Sequence, residues 1–329
     1  MEDIFYSDID LIRKKMNDFG FRREPFLFGL NFEMTEGFFV EEPLSNDKIL
    51  FEIGGKGNKP VAKIGERDST LKIEPIPYRA YKEKFDIVYE GLKRGDSFLS
   101  NLTIKTPIQT PLSLQDIFSL SVAPYQLYVP QKFVCFSPER FVRIGKGLIS
   151  TNPMKGTINA NVANAESVIL NDFKETAEHN TIVDLLRNDL SLVSDKVWVE
   201  RFRYVDRIET NKNTILQVSS EIKGELKDDF YSSLGDIVFK LLPAGSISGA
   251  PKAATVALIR SAEKEDRGYY TGVFGYFDGN VLDSAVFIRF IEMDECENMY
   301  FRSGGGITAY SNCEDEYNEM LDKIYFPFV

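Results

Sequence analysis

Histidine is almost missing from this chain: its 329 residues include one, His179. That excludes a zinc centre built from several imidazole and thiolate ligands. Cysteine is nearly as scarce. Cys135, Cys296 and Cys313 are odd in number and none stands in a CxxC pair. A disulfide framework and a dithiol redox motif are therefore not expected, and buried free thiols suit a reducing cytoplasm. No run of about 18 apolar residues occurs, so no membrane-spanning helix is expected. The acidic start, MEDIFYSDID, has neither the basic region nor the apolar run of a secretion signal. Positive charge is in deficit, 39 Lys and Arg against 50 Asp and Glu, for a net charge of −11. That argues against nucleic acid or a membrane surface as partner. A small anionic substrate stays open, because a local cationic pocket or a metal ion overrides the global sign.

Aromatic residues are plentiful, with 26 Phe and 15 Tyr, and 43% of the chain is hydrophobic. This is the composition of a globular protein with a large core, in one large domain or two ordinary ones. DLIRKKMNDFG reads as a short amphipathic helix, and FLFGLNFEM and GFFVEEPL as strands around a turn. The loop GGKGNKP, 54–60, marks a boundary. We therefore expect a short N-terminal segment, 1–70, packed on a main domain, 71–329. Helical spacing recurs at about 78–94, 163–189, 229–241, 251–264 and 313–325. Between these lie strand signals such as YQLYV, KFVCFSP, FVRIGKGLIS, RIETNKNTILQVSSEIKG, YTGVFGYFDG and SAVFIRFIEM. Many strands come in pairs joined by short Gly or Asp turns, and helices interrupt rather than alternate. The pattern predicts an α+β fold with large, mainly antiparallel sheets, not a doubly wound parallel sheet.

Four groups of residues carry chemistry. In KETAEHNTIVDLLRNDL, 174–190, Glu175 and Glu178 share one helical face; in CEDEYNEMLDKI, 313–324, Glu316 and Glu319 repeat the spacing, with Lys323 one turn on. Two such helices supply carboxylate oxygens suited to Mg²⁺, although the same spacing describes two solvated acidic faces. GSISGAPK, 245–252, allows close backbone approach to a ligand ahead of a helix start that favours anions. It lacks the order of a Walker loop. SGGGIT, 303–308, is either a backbone cradle for a carboxylate or a flexible turn. Finally, SPERF, 137–141, and NPMKGT, 152–157, contribute Glu139 and Lys155. A lysine in an apolar pocket loses its proton and becomes a nucleophile, and a buried glutamate serves as a general acid; an exposed lysine and a surface ion pair are the plain alternative. His179 reads as a packing or capping residue.

Taken in order, SPERF, NPMKGT, KETAEHNTIVDLLRNDL, PAGSISGAPK, RGYYTGVFGY, AVFIR and SGGGIT followed by EDEYNE resemble the chorismate-utilising enzymes over about residues 78–329. This family includes anthranilate, aminodeoxychorismate, isochorismate and salicylate synthases. The resemblance implies two large, mainly antiparallel sheets packed together with flanking helices. Lysine at position 155 resembles the aminodeoxychorismate synthases, component I, where anthranilate synthases carry alanine. That implies conversion of chorismate and ammonia to 4-amino-4-deoxychorismate, on the route to para-aminobenzoate and folate, with anthranilate synthase component I or another chorismate-utilising enzyme as the alternative.

Carried over by residue, the resemblance implies that Glu178 and Glu319 hold Mg²⁺, supported by Glu175 and Glu316. Arg289 and the amides near Gly305 and Gly306 would bind the enolpyruvyl carboxylate. Tyr276 and Lys323 would line the same site, with Ser248 of the Gly-rich turn also at the substrate. Glu139 would protonate the departing 4-hydroxyl and Lys155 would attack ring carbon 2. The chemistry is coherent: hydroxide leaves poorly without an acid, and a dianionic substrate needs cations and amide donors inside an acidic protein. Three positions depart from the family's usual strings: Leu99, Phe290 and Ala244. A glutaminase needs a nucleophilic cysteine with a histidine partner, and no such string surrounds any cysteine here. A separate glutamine amidotransferase subunit is therefore expected to supply the ammonia.

Overall fold

The computed structural model of the chain describes residues 4–60, 68–209 and 214–328. The chain opens with β1 (Phe5–Tyr6), α1 (Ile9–Arg22), β2 (Phe26–Leu30), β3 (Gly37–Glu41), β4 (Leu50–Ile53) and β5 (Lys56–Gly57). β6 (Lys72–Ile73), α2 (Tyr78–Arg94), β7 (Leu99–Gln109) and α3 (Leu114–Leu120) follow. A run of short strands comes next: β8 (Tyr125–Val129), β9 (Phe133–Ser137), β10 (Arg140–Gly145), β11 (Leu148–Thr151) and β12 (Met154–Asn159). α4 (Ala165–Asn171) and α5 (Phe173–Ser191) precede the long strands β13 (Lys196–Glu209) and β14 (Thr214–Glu225). The last third holds α6 (Leu234–Leu241), α7 (Gly245–Ser248), β15 (Gly249–Ala250), α8 (Lys252–Glu263), β16 (Val273–Phe277), β17 (Leu282–Val286), β18 (Phe290–Met293), β19 (Met299–Ile307) and α9 (Cys313–Asp322).

Local sequence explains most boundaries. α1 starts where the Asp8 carboxylate accepts from the Asp10 amide, and it buries Ile12, Met16 and Phe19 at helical spacing. α2 ends at Gly95, whose φ of +84° and backbone bonds to Gly91 and Leu92 close the last turn. The helix expected over 163–189 is two helices. Asp172 adopts an extended conformation and its side chain caps the Glu175 amide at 2.8 Å, so α5 begins afresh after α4. α3 was not expected; its signal is the capping box of Ser113 and Asp116.

The strands form a ten-stranded sheet, β1-β3-β2-β16-β17-β10-β11-β14-β12 with β13 also on β14, and a nine-stranded sheet, β15-β7-β19-β18-β9-β8-β4-β5 with β6 on β7. Every strand pair among the described residues is antiparallel. The fold is thus α+β, as expected. The sheets pack face to face through Leu27, Phe38, Phe51, Leu127, Cys135, Phe274 and Phe287. α1, α5 and α6 cover the outer face of the first sheet, and α2, α8 and α9 pack on β7 and β19 of the second. β2 shows why its sequence reads as an unbroken apolar run. Phe26, Phe28 and Leu30 face the helices while Leu27 faces the other sheet, so both sides of the strand are buried.

One expectation is corrected here. Residues 1–70 are not packed on a finished domain. β2 pairs with β16 along its full length, and β4 pairs with β8, so the segment supplies strands to both sheets. Boundaries drawn from a Gly/Pro loop miss pairing across such a distance. The tip of the β13–β14 hairpin, 210–213, lies outside the described residues.

Candidate active site

A cavity of about 580 Å³ is lined by residues of both sheets and of the helices packed on them. Its walls come from β12 and α5 of one half and from β7, α7, β19 and α9 of the other. Glu139, Lys155, Glu175, Glu178, Arg289, Gly305, Gly306, Glu316, Glu319 and Lys323 all line it. Tyr276 and Ser248 do not.

Tyr276 lies in β16 with its ring 5.1 Å from that of Phe51, buried in the core between the sheets. The tyrosine at the cavity is Tyr270. The string RGYYTGVFGY offers three tyrosines, and only the fold separates them: Tyr269 stacks among Phe38, Phe133 and Phe287. Ser248 is fully buried and its hydroxyl donates to the Ala244 carbonyl at 2.8 Å. Ser246, two residues earlier, is the serine that faces the cavity.

Glu139 stands just before β10, beyond Pro138. Burial raises its pKa above the ordinary carboxylate range, against the opposing effect of the Ser246 hydroxyl and of Lys155, Arg289 and Lys323. A glutamic acid whose pKa burial raises is better suited to donate a proton than an exposed one.

Lys155 departs from expectation. Its surroundings are acidic rather than apolar. Burial works against its charge, but Glu178, Glu319 and Glu175 outweigh burial and hold the ammonium above the ordinary lysine range. Its Nζ is 3.3 Å from Glu178 Oε2.

The two acidic helices face one cavity and all four glutamates line it, with Glu178 and Glu316 largely buried and Glu319 still about half exposed at 56%. Glu316 is 4% exposed and accepts from the Ser311 hydroxyl at 2.7 Å. Burial raises Glu316, with Glu319 and Glu178 adding to the rise, and burial followed by Glu178 raises Glu175. Glu319 is different: burial would raise it, but Lys323 at 2.7 Å prevails and holds it below its usual range. Lys323 itself is depressed by burial despite that pairing, and it also donates to the Gly304 carbonyl at 2.8 Å. Lys174, unremarked in the sequence, lies 3.7 Å from Glu316.

Glu178 Oε1 is buried without a hydrogen-bond partner, which is costly for a carboxylate oxygen unless a cation takes it up. Among the described residues no group of three or more His, Cys, Asp or Glu side chains converges on one metal position. A set of hard oxygens, one helix contributing Glu178 and another Glu319, fits a small cation such as Mg²⁺, which needs one or two carboxylates and fills its shell with water and substrate oxygens.

SGGGIT is a strand rather than a turn. β19 pairs with β7 as far as Ile307, but with β18 only from Met299 to Arg302. Among the described residues Gly304–Gly306 therefore have no strand partner on the side away from β7. A Cβ at Gly306 would lie 3.3 Å from Lys155 Nζ and 3.1 Å from Leu99, and one at Gly305 would lie 3.2 Å from Glu316 Oε2. Any side chain there would intrude on the charged groups. Arg289 completes the wall. It adopts a left-handed φ of 52°, and its Nε is 3.5 Å from the Tyr325 hydroxyl. Phe290 turns into the core between the sheets.

A model of the chorismate binding enzymes matches residues 46–328. An uncharacterized PabA-like protein of Haemophilus influenzae is 49% identical over 319 residues, 95% of each chain. Component 1 of anthranilate synthase from Archaeoglobus fulgidus is 32% identical, covering 82% of this chain and 64% of its own. Component 1 of aminodeoxychorismate synthase from Bacillus subtilis is 29% identical, covering 76% and 55%. Among solved structures, anthranilate synthase component I of Streptococcus pneumoniae superposes with a TM-score of 0.75 at 22% identity, covering 93% of this chain and 84% of its own. Among the described residues no helix is long and apolar enough to cross a membrane.

Proposed function

This chain belongs to the chorismate binding enzyme family, and on that premise we propose that it is an aminodeoxychorismate synthase that joins chorismate and ammonia to give 4-amino-4-deoxychorismate. The observation that carries the reading is Lys155 Nζ beside the glycines of β19, in the same cavity as Glu139, whose pKa burial raises. Relatives of both the anthranilate and the aminodeoxychorismate kind share about 30% of their residues with this chain, so the choice between branches rests on Lys155.

In this reading Arg289 and the free edge of Gly304–Gly306 hold the enolpyruvyl carboxylate. Glu139 gives its proton to the 4-hydroxyl, which leaves as water. Lys155, after losing a proton to a neighbouring carboxylate such as Glu178, forms a bond from Nζ to ring carbon 2 as the diene shifts and the carbon–oxygen bond at carbon 4 breaks. Ammonia then bonds to carbon 4, the diene shifts back and the carbon–nitrogen bond to Lys155 breaks. Glu139 is left as a carboxylate able to take the surplus proton from the new amine. Glu178 and Glu319 would hold Mg²⁺, with Glu175 and Glu316 behind them; when bound, the ion neutralises the ring carboxylate of the substrate. The chain's own residues offer no glutaminase site, so a glutamine amidotransferase subunit would supply ammonia from glutamine.

The test is to incubate the purified protein with chorismate, Mg²⁺ and an ammonium salt and to identify the product by mass spectrometry. A product that keeps its enolpyruvyl side chain supports the reading. Anthranilate as the main product overturns it in favour of the other branch.

A further inference from the structure

Arg267 is among the largest fully buried side chains of the molecule, and no part of it reaches the cavity. All five of its guanidinium N–H groups are nonetheless engaged. Nε donates to Glu263 Oε2 at 2.9 Å, and Nη2 donates to Glu263 Oε1 at 2.6 Å and to the Asn101 carbonyl at 2.6 Å. Nη1 donates to the Ile247 carbonyl at 3.3 Å and to the Thr271 hydroxyl at 3.2 Å. Glu263 is held in turn by the amide and hydroxyl of Thr103. The ring of Phe32 lies 4.7 Å from the guanidinium carbon.

The three partners other than Glu263 have one thing in common. Asn101, Ile247 and Thr271 come from three separate segments and all line the cavity. Thr271 is a β-branched residue at a φ of 61°, a strained backbone that persists only where its surroundings enforce it. Ile247 belongs to α7, whose Ser246 lines the cavity together with Glu139. α7 is four residues long and cannot hold its own place. Its backbone is fixed from outside, by Arg267 at Ile247 and by the Lys252–Asp189 pair, 3.0 Å apart, against Gly245.

We propose that Arg267 is a positioning residue for the reaction: its planar fork ties β7, α7 and the Tyr270–Thr271 turn into one wall and so fixes Ser246 and Tyr270 in the cavity that holds Glu139. The proposal rests on Glu139 being the acid in the function proposed above. An ammonium ion here would still balance Glu263, but it has three donors without the planar fork and would not reach three walls at once. A merely structural charge would therefore be replaceable by lysine, and a positioning fork would not.

The test uses Arg267→Lys and the double variant Arg267→Met/Glu263→Met, which removes the buried ion pair without leaving an unpaired charge. Amide hydrogen exchange is followed across the chain, and kcat and KM are measured against pH with chorismate, Mg²⁺ and ammonium. In both variants exchange over 244–249 and 269–272 is expected to quicken at least about tenfold while β8 and β9 keep the parent's protection. In Arg267→Lys kcat should fall by about 30–100-fold, the usual consequence of a displacement near 1 Å, with KM changed less than about threefold. The limb of the pH profile that reports Glu139, which faces Lys155, Arg289 and Lys323, should move to higher pH as the lowering influence of the Ser246 hydroxyl weakens. Unchanged local exchange, uniform loss of protection across the chain, or full activity in Arg267→Lys would each overturn the proposal. A parent protein inert towards chorismate would defeat the functional reading alone, because the exchange measurement judges the fork without substrate.

Discussion

Replacing Lys155 separates its charge from its chemistry. Its Nζ lies 3.3 Å from Glu178, whose side chain is 9% exposed. At an effective dielectric of about 20 that separation is worth at most about 5 kcal/mol of attraction. The lysine side chain is 27% exposed, and Glu319 and Glu175 also face it. Lys155→Ala should therefore cost about 2–3 kcal/mol, less than the loss of one partner from a fully buried pair. For a chain of this size that is a fall in Tm of about 3–4 °C. Lys155→Arg keeps the charge and should melt within about 2 °C of the parent, a loss under about 1 kcal/mol. Its guanidinium stays charged and is no nucleophile. Turnover of chorismate with ammonium should fall at least about a thousandfold in both variants, about 4 kcal/mol of barrier. The assay pairs calorimetric melting with product quantitation, and with intact-protein mass spectrometry after acid quench during turnover. A covalent adduct is expected on the parent and not on Lys155→Arg. An Arg variant that keeps more than about a tenth of the parent's kcat would refute nucleophilic attack and leave Lys155 as a carboxylate-binding cation.

Glu139→Gln should slow turnover by about two to four orders of magnitude with chorismate binding retained, measured by calorimetry; because burial raises this carboxyl, the parent's kcat/KM should fall as pH rises through the raised value, and the Gln variant should lack that limb. Glu178→Ala and Glu319→Ala should each abolish turnover without unfolding the chain, and full activity of both in the presence of a chelator would remove the metal from the account. Burial lowers the His179 imidazole from its ordinary 6.5 to about 4, its Nε2 lying 2.7 Å from the Ser220 hydroxyl. Between those values the unfolded chain binds a proton that the folded chain refuses, so stability should drop by about 3 kcal/mol as pH falls from 6.5 to 4. His179→Gln should flatten that part of the Tm–pH curve; an unchanged slope would assign the acid sensitivity elsewhere.

The cavity was legible because its residues sit in short strings whose local geometry is simple. Glu175 and Glu178, like Glu316 and Glu319, share a helical face by spacing alone, and the strings announce their elements well. What spacing does not carry is which tyrosine of RGYYTGVFGY faces inward. That depends on where β16 begins, and the left-handed Thr271 just before it leaves Tyr270 at the cavity and Tyr276 in the core. Ser246 was passed over for Ser248 for a related reason: α7 is one short turn, and the cavity lies on its Ser246 side. The protonation of Lys155 was misjudged because three glutamates, Glu175, Glu178 and Glu319, each plausible as surface charge, come near it only in three dimensions. Arg267 opens the string RGYYTGVFGY, but its role was not marked, since a buried fork between three segments leaves no periodicity behind.

The pairing of β2 with β16 has a consequence for synthesis. Phe26–Leu30 waits for partners about 240 residues further along. At about 5–20 residues per second, ribosomal synthesis leaves the Phe-rich β2–β3 hairpin uncovered for roughly 12–50 seconds. Such an edge is a template for pairing with other chains until it is covered. A nascent chain stalled before Val273 is accordingly expected to be cut by protease within 26–41, and a chain released at full length to be protected there.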